Sequence, residues 1–313
     1  MKQVTILVPS YNEQDSLPSL FERLNNLARE NDGYDFEFLF INDGSHDKTL
    51  ELIKKEQVKN KAVSYIDLSR NFGKELAMMA GIDYVKSDAL VIIDADLQDP
   101  PELIPEMIKL WEEGFDDVYA RRRTRSGESA LKKLTSSLYY RILQKSTQVP
   151  IQQDTGDFRL LDRKCINALQ EVREINRNTK ALFSWVGYKK KEILYDRDAR
   201  VSGETKWNYL KLINLAIDGI TSFTTAPLRL ATVFGFLVSI GAFLYILIII
   251  IRTLFLGVDE PGYPSLMSII LLLGGIQLIS LGIIGEYISR IFTETKKRPP
   301  YLISEVKRGK NKQ

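Results

Sequence analysis

Short apolar runs alternate with amphipathic segments through the N-terminal two-thirds of the chain. Runs rich in β-branched and aromatic residues predict strands at 4–8, 36–42, 62–68 and 89–94. The intervening segments 16–30, 47–57 and 74–86 have helical spacing. Near-continuous apolar strands are typical of a sheet that is covered on both faces. The order therefore predicts an α/β domain with a mostly parallel sheet and helices on both faces.

Two much longer apolar runs follow. About 22 uncharged residues separate Arg229 from Arg252, and about 20 more span 265–285, enough for each to cross a membrane as a helix. Two buried core helices are the alternative. The connection between the runs is acidic, whereas 293–313 is strongly basic. The positive-inside rule then predicts both termini in the cytoplasm.

The segment just before the first run has apolar residues near one side of a helix, which is typical of a helix lying on a membrane surface. An ordinary surface helix has the same pattern, but the adjacent apolar run favours the interfacial one. The start of the chain does not resemble a secretory signal. We predict four parts: a cytoplasmic domain (1–206), an amphipathic juxtamembrane helix (207–224), a two-helix transmembrane hairpin (225–292) and a basic cytoplasmic tail (293–313).

Composition narrows the possible functions. The formal net charge of +3 gives no sign of a nucleic-acid partner. Cys165 is the single cysteine, which excludes an intrachain disulfide and a CxxC metal site. His46 is the single histidine and lies in a predicted turn, so a histidine-rich metal site is excluded as well.

Polar residues follow all four predicted strands. The stretches are PSYNE (9–13), NDGS (42–45), SRNFGK (69–74) and DADLQD (94–99). Each one alone could be a turn or a helix cap. Ligands of parallel sheets bind beyond the carboxyl ends of the strands, so the four together predict one binding site.

Asp94 and Asp96 stand one residue apart at the end of the fourth strand. In extended chain their side chains point the same way, and two close carboxylates repel unless a cation lies between them. A hard divalent ion with oxygen ligands fits, and Gln98 adds a neutral oxygen. In the competing interpretation Asp99 or Asp96 caps a helix that begins at Pro100–Pro101. We assign Asp99 as the cap of that helix.

Six stretches in this order resemble the family 2 glycosyltransferases of the GT-A fold: PSYNE, NDGS, RNFGKELAMMAG (70–81), DADLQDP, TGDFRLLDR (155–163) and RVSGETKW (200–207). Their closest similarity is to the dolichol-phosphate mannose synthase-like branch, which includes bacterial undecaprenyl-phosphate (bactoprenol) glycosyltransferases. The resemblance implies an inverting enzyme that moves a hexose of the glucose or N-acetylglucosamine class. The donor would be a UDP-sugar, the acceptor polyprenyl phosphate, and the product would serve modification of cell-envelope glycans.

The resemblance also implies the donor site. The residues expected to bind the nucleotide-sugar are Pro9, Tyr11, Glu13, Asp43, Asp94 and Lys206. Within this set, Asp43 is expected to accept a hydrogen bond from uracil. Mg²⁺ or Mn²⁺ is the expected cofactor, held by Asp96 and Gln98 together with Asp94. Lys74 and Arg70 either assist on the same side or are a solvated helix start.

Asp157 matches an acidic residue that the family carries near the acceptor, and it completes the predicted catalytic set with Asp94 and Asp96. A phosphate monoester has a second pKa of about 6, so a strong base is scarcely needed. We therefore assign Asp157 to positioning, with general base as the second role and a plain turn residue as the alternative. The cations predicted for the acceptor phosphate are Arg122, Arg141 and Arg200.

The resemblance further implies a multi-pass protein of the bacterial plasma membrane that contacts anionic lipids of the inner leaflet and forms a homo-oligomer. Two other functions compete with the transferase. A processive polysaccharide synthase would carry a QxxRW-type motif and more spans, which this sequence lacks. A catalytically silent nucleotide-sugar-binding membrane scaffold remains open, as does the identity of the sugar.

Overall fold

The computed structural model describes residues 1–123, 155–175, 177–196, 225–256 and 262–309. These residues fall into two compact units. One is built on a β-sheet and includes residues 298–309, and the other contains two long helices. The predicted juxtamembrane helix, 207–224, lies outside the described residues.

Eight strands form one sheet in the order β7-β5-β6-β4-β1-β2-β3-β8. They are β1 (Lys2–Ser10), β2 (Tyr34–Asn42), β3 (Val63–Leu68), β4 (Ala89–Ile92), β5 (Asp117–Arg122), β6 (Thr155–Asp162), β7 (Lys190–Tyr195) and β8 (Ile303–Lys307). Only β6 and β8 of the described strands run antiparallel to their neighbours. The prediction of a mostly parallel sheet is confirmed.

Helices cover both faces of the sheet. They are α1 (Leu17–Glu30), α2 (Thr49–Lys59), α3 (Lys74–Tyr84), α4 (Ile104–Glu112), α5 (Arg163–Glu171) and α6 (Thr179–Trp185). One core cluster holds apolar residues of α1, α2 and α4, and the other holds those of α3, α5 and α6. Successive β1 residues serve opposite clusters, Ile6 the first and Leu7 the second, because side chains alternate along a strand.

A charged pair is buried between two neighbouring strands of this sheet, β5 and β6. Arg159 of β6 and Asp117 of β5 are both 0% exposed, and their side chains meet at 3.1 Å. The Arg159 guanidinium also stacks 3.9 Å from the centre of the Phe183 ring of α6. A buried charge is tolerated only when it is paired, so this contact constrains how β5, β6 and α6 pack together.

The segment predicted as a basic tail contains a strand. Its residues 303–307 form β8, which pairs antiparallel with β3 at the edge of the sheet. Glu305 accepts a hydrogen bond from the Tyr65 hydroxyl at 2.6 Å and forms a 2.5 Å ion pair with Lys54. The chain therefore returns to the first unit after its two long helices, and the added strand covers an edge that would otherwise be unpaired.

The second unit is a pair of long apolar helices, α7 (Ala226–Leu256) and α8 (Tyr263–Thr295). The windows Pro227–Tyr245 and Leu272–Thr295 have mean hydropathies of 1.8 and 1.5, long and apolar enough to cross a membrane. The two helices contact each other, and their large apolar side chains are mostly exposed. These features fit the predicted transmembrane spans.

The buried pair predicts a large loss of stability in Asp117→Ala. Arg159 would stay buried without the Asp117 carboxylate, which we expect to lower the free energy of unfolding by about 3–5 kcal/mol. Denaturant unfolding in detergent, followed by tryptophan fluorescence, measures this. The matched control is Glu192→Ala, which breaks the exposed Arg121–Glu192 pair between β5 and β7 and should cost less than about 1 kcal/mol. Equal losses in both variants would contradict the assignment.

Candidate active site

A cavity of about 220 Å³ lies at the carboxyl ends of the parallel strands. Residues from all four predicted strand ends line it: Pro9, Ser10, Tyr11, Glu13, Asp43, Asn71, Gly73, Lys74, Ala77, Asp94, Ala95 and Asp96. The structure thus brings together the polar ends of β1, β2, β3 and β4. Six of the residues predicted for donor or metal binding are among them.

The loop after β1 is fixed by hydrogen bonds to the start of α2. The Glu13 backbone N–H donates to the Thr49 hydroxyl at 2.8 Å, and the Glu13 carboxylate accepts from the Ser16 hydroxyl at 2.8 Å. The Tyr11 ring is 42% exposed and lies edge-on to the His46 ring, with 6.5 Å between the ring centres. A rigid loop therefore presents one solvent-accessible aromatic side chain at the cavity.

Asp43 joins the end of β2 to the loop that follows β3. Its carboxylate accepts the backbone N–H groups of Phe72 at 2.7 Å and Gly73 at 2.9 Å. Burial raises the pKa of Asp43, and these two bonds together with the Arg70 charge offset the rise only in part. Gly44, at φ +64°, packs against the backbone of the loop after β3. A Cβ at this position would be 2.4 Å from the Arg70 carbonyl carbon, so no side chain fits there. The turn and the loop form one packed unit.

Lys74, the first residue of α3, stands between two carboxylates. Its ammonium is 2.6 Å from Asp94 Oδ1 and 2.5 Å from Asp157 Oδ2. The Lys74 side chain is 41% exposed, against 25% for Asp94 and 8% for Asp157. One partly accessible cation therefore connects the end of β4 to β6. Lys74 lines the cavity, whereas Asp157 lies behind it and is not among the described lining residues.

Positive charge surrounds Asp157. Burial alone would raise the pKa of its carboxyl, but the charges of Lys74, Lys180 and Arg159 outweigh burial and hold that pKa below its ordinary value. Asp157 is therefore ionised at neutral pH. Its second oxygen, Oδ1, is buried and has no hydrogen-bond partner among the described residues.

A second contact ties α3 to α6. Glu75 accepts hydrogen bonds from both the backbone N–H and the hydroxyl of Thr179. Burial raises the pKa of the Glu75 carboxyl. This contact fixes the first turn of α6 and so positions Lys180, whose charge reaches Asp157. No local pattern predicts the contacts that Glu75 and Lys180 make, since their partners lie far away along the chain.

The predicted metal ligands are only partly together. Asp94 and Asp96 both line the cavity. Gln98 is buried, its backbone N–H donates to Asp96 Oδ1 at 3.2 Å, and it is not among the described residues that line the cavity. The described chain holds no group of three or more His, Cys, Asp or Glu arranged for a metal. Two carboxylates fit a divalent ion that takes its other oxygens from substrate phosphates and water.

The assignment of Asp99 as a helix cap is wrong. A 3₁₀ turn, Pro101–Leu103, precedes α4, and no side chain caps it. Asp99 is instead 2% exposed, and its carboxylate accepts a hydrogen bond from the Tyr195 hydroxyl at the end of β7. The Asp-Pro-Pro sequence indicates a local cap, but a tertiary partner 96 residues away determines where the side chain goes.

The predicted phosphate-binding residues are described only in part. Arg122 ends β5, and its Nη2 would be 3.8 Å from a Cβ at Gly156, the residue before Asp157. Arg141, Arg200 and Lys206 lie outside the described residues.

Comparison with known proteins agrees with this arrangement. Residues 5–169, which contain all four strand ends and Asp157, match the family model described as glycosyl transferase family 2. The chain is a family 2 glycosyltransferase. Residues 226–291, which cover most of α7 and α8, match the model described as the GtrB C-terminal hairpin.

Similar proteins extend over nearly the whole glycosyltransferase chain. A protein of Synechocystis called an uncharacterized glycosyltransferase is 48% identical over 97% of this chain and 95% of its own length. The prophage bactoprenol glucosyl transferase homolog of Escherichia coli is 42% identical over 98% of this chain and 100% of its own. A bactoprenol glucosyl transferase of Shigella flexneri is 42% identical over 98% of this chain and 99% of its own length. The similarity covers both units.

The Lys74 contacts predict a pH-dependent loss of stability in Lys74→Met. A depressed carboxyl pKa stabilises the fold above the pKa of the unfolded state, about 3.9, and that contribution is lost as the pH falls through the folded-state pKa. Without Lys74, the buried Asp157 loses a main donor, which should cost about 1–3 kcal/mol at pH 7.

The difference in melting temperature between the original protein and Lys74→Met should shrink from pH 7 to pH 4, because acid protonates Asp157 in the variant. Thermal unfolding of both proteins across this range measures it. Lys55→Met is the matched control, since it breaks the exposed 2.6 Å pair with Glu51. A difference that stays constant with pH would show that Asp157 does not depend on Lys74.

Proposed function

We propose that this glycosyltransferase moves a hexose of the glucose or N-acetylglucosamine class from a UDP-sugar to polyprenyl phosphate, with inversion at the anomeric carbon. The observation that carries the proposal is the cavity at the strand ends, where Asp94, Asp96 and Lys74 lie together. The relatives named bactoprenol glucosyl transferase support a polyprenyl phosphate acceptor and glucose as the sugar.

The donor would occupy the cavity. The exposed ring of Tyr11 offers a surface on which a base can stack, and Asp43 lies close by with both carboxylate oxygens anchored to the backbone. Each of those oxygens keeps a second lone pair that could accept the uracil N–H. A UDP-sugar bound this way directs its diphosphate toward Asp94, Asp96 and Lys74.

The reaction exchanges one bond for another. A phosphate oxygen of the lipid attacks the anomeric carbon from the face opposite the diphosphate. The new carbon–oxygen bond forms while the bond to UDP breaks, and UDP leaves with the bonding electron pair. Because the acceptor phosphate is largely ionised at neutral pH, the attacking oxygen needs little help from a base.

Asp94 and Asp96, with Gln98 as a further candidate, would hold a divalent ion at the diphosphate. When bound, such an ion neutralises the negative charge that grows on the departing UDP. The ammonium of Lys74 lies at the same cavity, between Asp94 and Asp157, and adds a fixed positive charge on that side.

Asp157 would act mainly as a positioning residue. Its carboxylate is held ionised by the surrounding cations and is bound through Oδ2 to Lys74, which makes it a weak proton acceptor. The buried Oδ1 has no partner among the described residues and could orient a hydroxyl of the sugar or accept a residual proton from the acceptor.

The acceptor phosphate would bind to Arg122, with Arg141 and Arg200 as further candidates. Arg122 is the last residue of β5, which pairs with β6. Its side chain lies beside Gly156 of β6, the residue before Asp157. Guanidinium groups bind phosphate through two parallel N–H bonds, which would fix the attacking oxygen.

The pairing of β8 with β3 supports a hairpin with both ends on one side of the membrane. The chain enters α7 after one part of the sheet-containing unit and returns to the same unit after α8. An even number of membrane crossings is the simplest path that leaves this unit and comes back to it. Together with the basic residues that follow α8, it favours a plasma-membrane protein with the catalytic unit and both termini in the cytoplasm.

Asp96→Asn should reduce sugar transfer by at least about 100-fold, because it removes one of only two carboxylate charges that would hold the divalent ion. Membranes that contain the protein, undecaprenyl phosphate, Mg²⁺ and radiolabelled UDP-glucose or UDP-N-acetylglucosamine would be assayed for labelled lipid. Glu51→Gln, an exposed change of the same kind, should transfer at the original rate. Full activity of Asp96→Asn would refute the metal role, and no lipid labelling with any UDP-sugar would favour the silent scaffold.

The proposed topology predicts the accessibility of a new cysteine between the helices. Cys165 is buried and should not react. In intact cells, a membrane-impermeant maleimide should label Asp259→Cys but leave Asp32→Cys on the catalytic unit unlabelled, and lysed cells should allow labelling of both. Labelling of Asp32→Cys in intact cells would contradict a cytoplasmic catalytic unit.

A further inference from the structure

The third carboxylate of the DADLQD stretch is buried among specific partners. Asp99 is 2% exposed, and the Tyr195 hydroxyl donates a hydrogen bond to its Oδ1. Tyr195 is itself 4% exposed and packs edge-on against Phe158 of β6. Burying a carboxylate is costly unless hydrogen bonds compensate it, so a partner contact is expected here. The position of that partner suggests a role beyond packing.

Tyr195 connects Asp99 to Arg122. The Arg122 guanidinium carries its positive charge close to the same Tyr195 hydroxyl, which offsets part of the rise that burial and Asp99 cause in the pKa of Tyr195. The two residues are also paired across β5 and β7, and the next backbone N–H, that of Arg123, donates to the Tyr195 carbonyl at 3.0 Å. A phenolic hydroxyl has one proton and also accepts. Donating that proton to Asp99 turns its lone pairs toward Arg122, so Asp99 determines the orientation of the whole contact.

The guanidinium held in this way keeps hydrogen-bonding capacity for a ligand. Arg122 Nη2 and Asp99 Oδ2 would lie 3.8 and 4.0 Å from a Cβ at Gly156, so both flank the residue before Asp157. Arg122 Nε is buried and has no hydrogen-bond partner among the described residues. A guanidinium has five N–H donors, so turning one toward the neighbouring Tyr195 hydroxyl leaves enough for two parallel bonds to a phosphate.

We infer that Asp99 and Tyr195 are positioning residues that hold the Arg122 guanidinium for the phosphate of the lipid acceptor. The inference rests on the proposed function for the identity of that phosphate. It deepens that proposal, because it gives the Asp-Pro end of the DADLQD stretch a role in acceptor binding, whereas Asp94 and Asp96 serve the donor. One stretch of chain would then contribute to both substrate sites.

Tyr195→Phe tests this with little change in packing, since the ring stays. We expect the Kd for undecaprenyl phosphate in detergent micelles to rise about tenfold or more, the usual effect of losing a hydrogen bond to a charged group. The Kd for UDP should stay within about twofold, and where transfer is measured the KM for the lipid should rise with it. Asp99→Asn, which keeps the shape of the side chain, should shift the same constants in the same direction.

The matched control is Tyr65→Phe. Tyr65 is also 4% exposed, and its hydroxyl also donates to a carboxylate, that of Glu305 at 2.6 Å, but at the opposite edge of the sheet. Tyr65→Phe removes the same kind of hydrogen bond as Tyr195→Phe, and it should leave the Kd for undecaprenyl phosphate unchanged. Melting temperatures of both variants show whether a change in binding reflects general loss of structure.

A double-mutant cycle separates positioning from packing. If Tyr195 acts through Arg122, then Tyr195→Phe should have no further effect on lipid binding in an Arg122→Ala background. Additive effects, or a Tyr195→Phe protein that binds the lipid as tightly as Tyr65→Phe does, would overturn the inference while leaving the proposed transfer intact. Weaker binding of UDP alone would overturn it as well. If the original protein binds no undecaprenyl phosphate, the inference and the proposed acceptor both fail.

Discussion

The candidate active site depends on one ammonium shared by two carboxylates. Lys74 contacts Asp94 after β4 and Asp157 on β6, and β4 and β6 run antiparallel to each other. Without a cation, two carboxylates this close would repel, and one would take up a proton or move away. The same lysine begins α3, and its backbone follows the two N–H groups that Asp43 holds. The turn after β2, which holds Asp43, and the two carboxylates are therefore connected through a few consecutive residues of the loop between β3 and α3.

That connection gives the loop between β3 and α3 two tasks. Asp43 fixes its backbone from the side of β2, and Lys74 carries its charge toward β4 and β6. Glu75 then fixes the first turn of α6 through Thr179. A shift of this loop would move the cavity wall, the shared cation and Lys180 together. Such coupling between neighbouring sites arises from rigid contacts along a short stretch of chain.

Much of this arrangement could be predicted from the sequence, and the remainder could not for physical reasons. The carboxyl ends of parallel strands share one edge, so the convergence of Asp43, Asp94 and Asp96 follows from strand order alone. Asp99 was misassigned because its neighbours Pro100 and Pro101 indicate a local cap, whereas its partner lies on β7. The burial of Arg159 and the strand within the basic tail also depend on distant partners, which a local pattern does not reveal. The roles of all the predicted site residues stay predictions.

The position of β8 after both long helices has a consequence for how the protein is made. During synthesis, β3 emerges early, but the strand that covers its edge leaves the ribosome only after both apolar helices. The open edge of β3 must persist while both apolar helices are translated, and an unpaired edge is prone to pair with other chains. Insertion of the helices into the membrane would thus precede closure of the sheet, so the catalytic unit reaches its final form only after the protein is anchored.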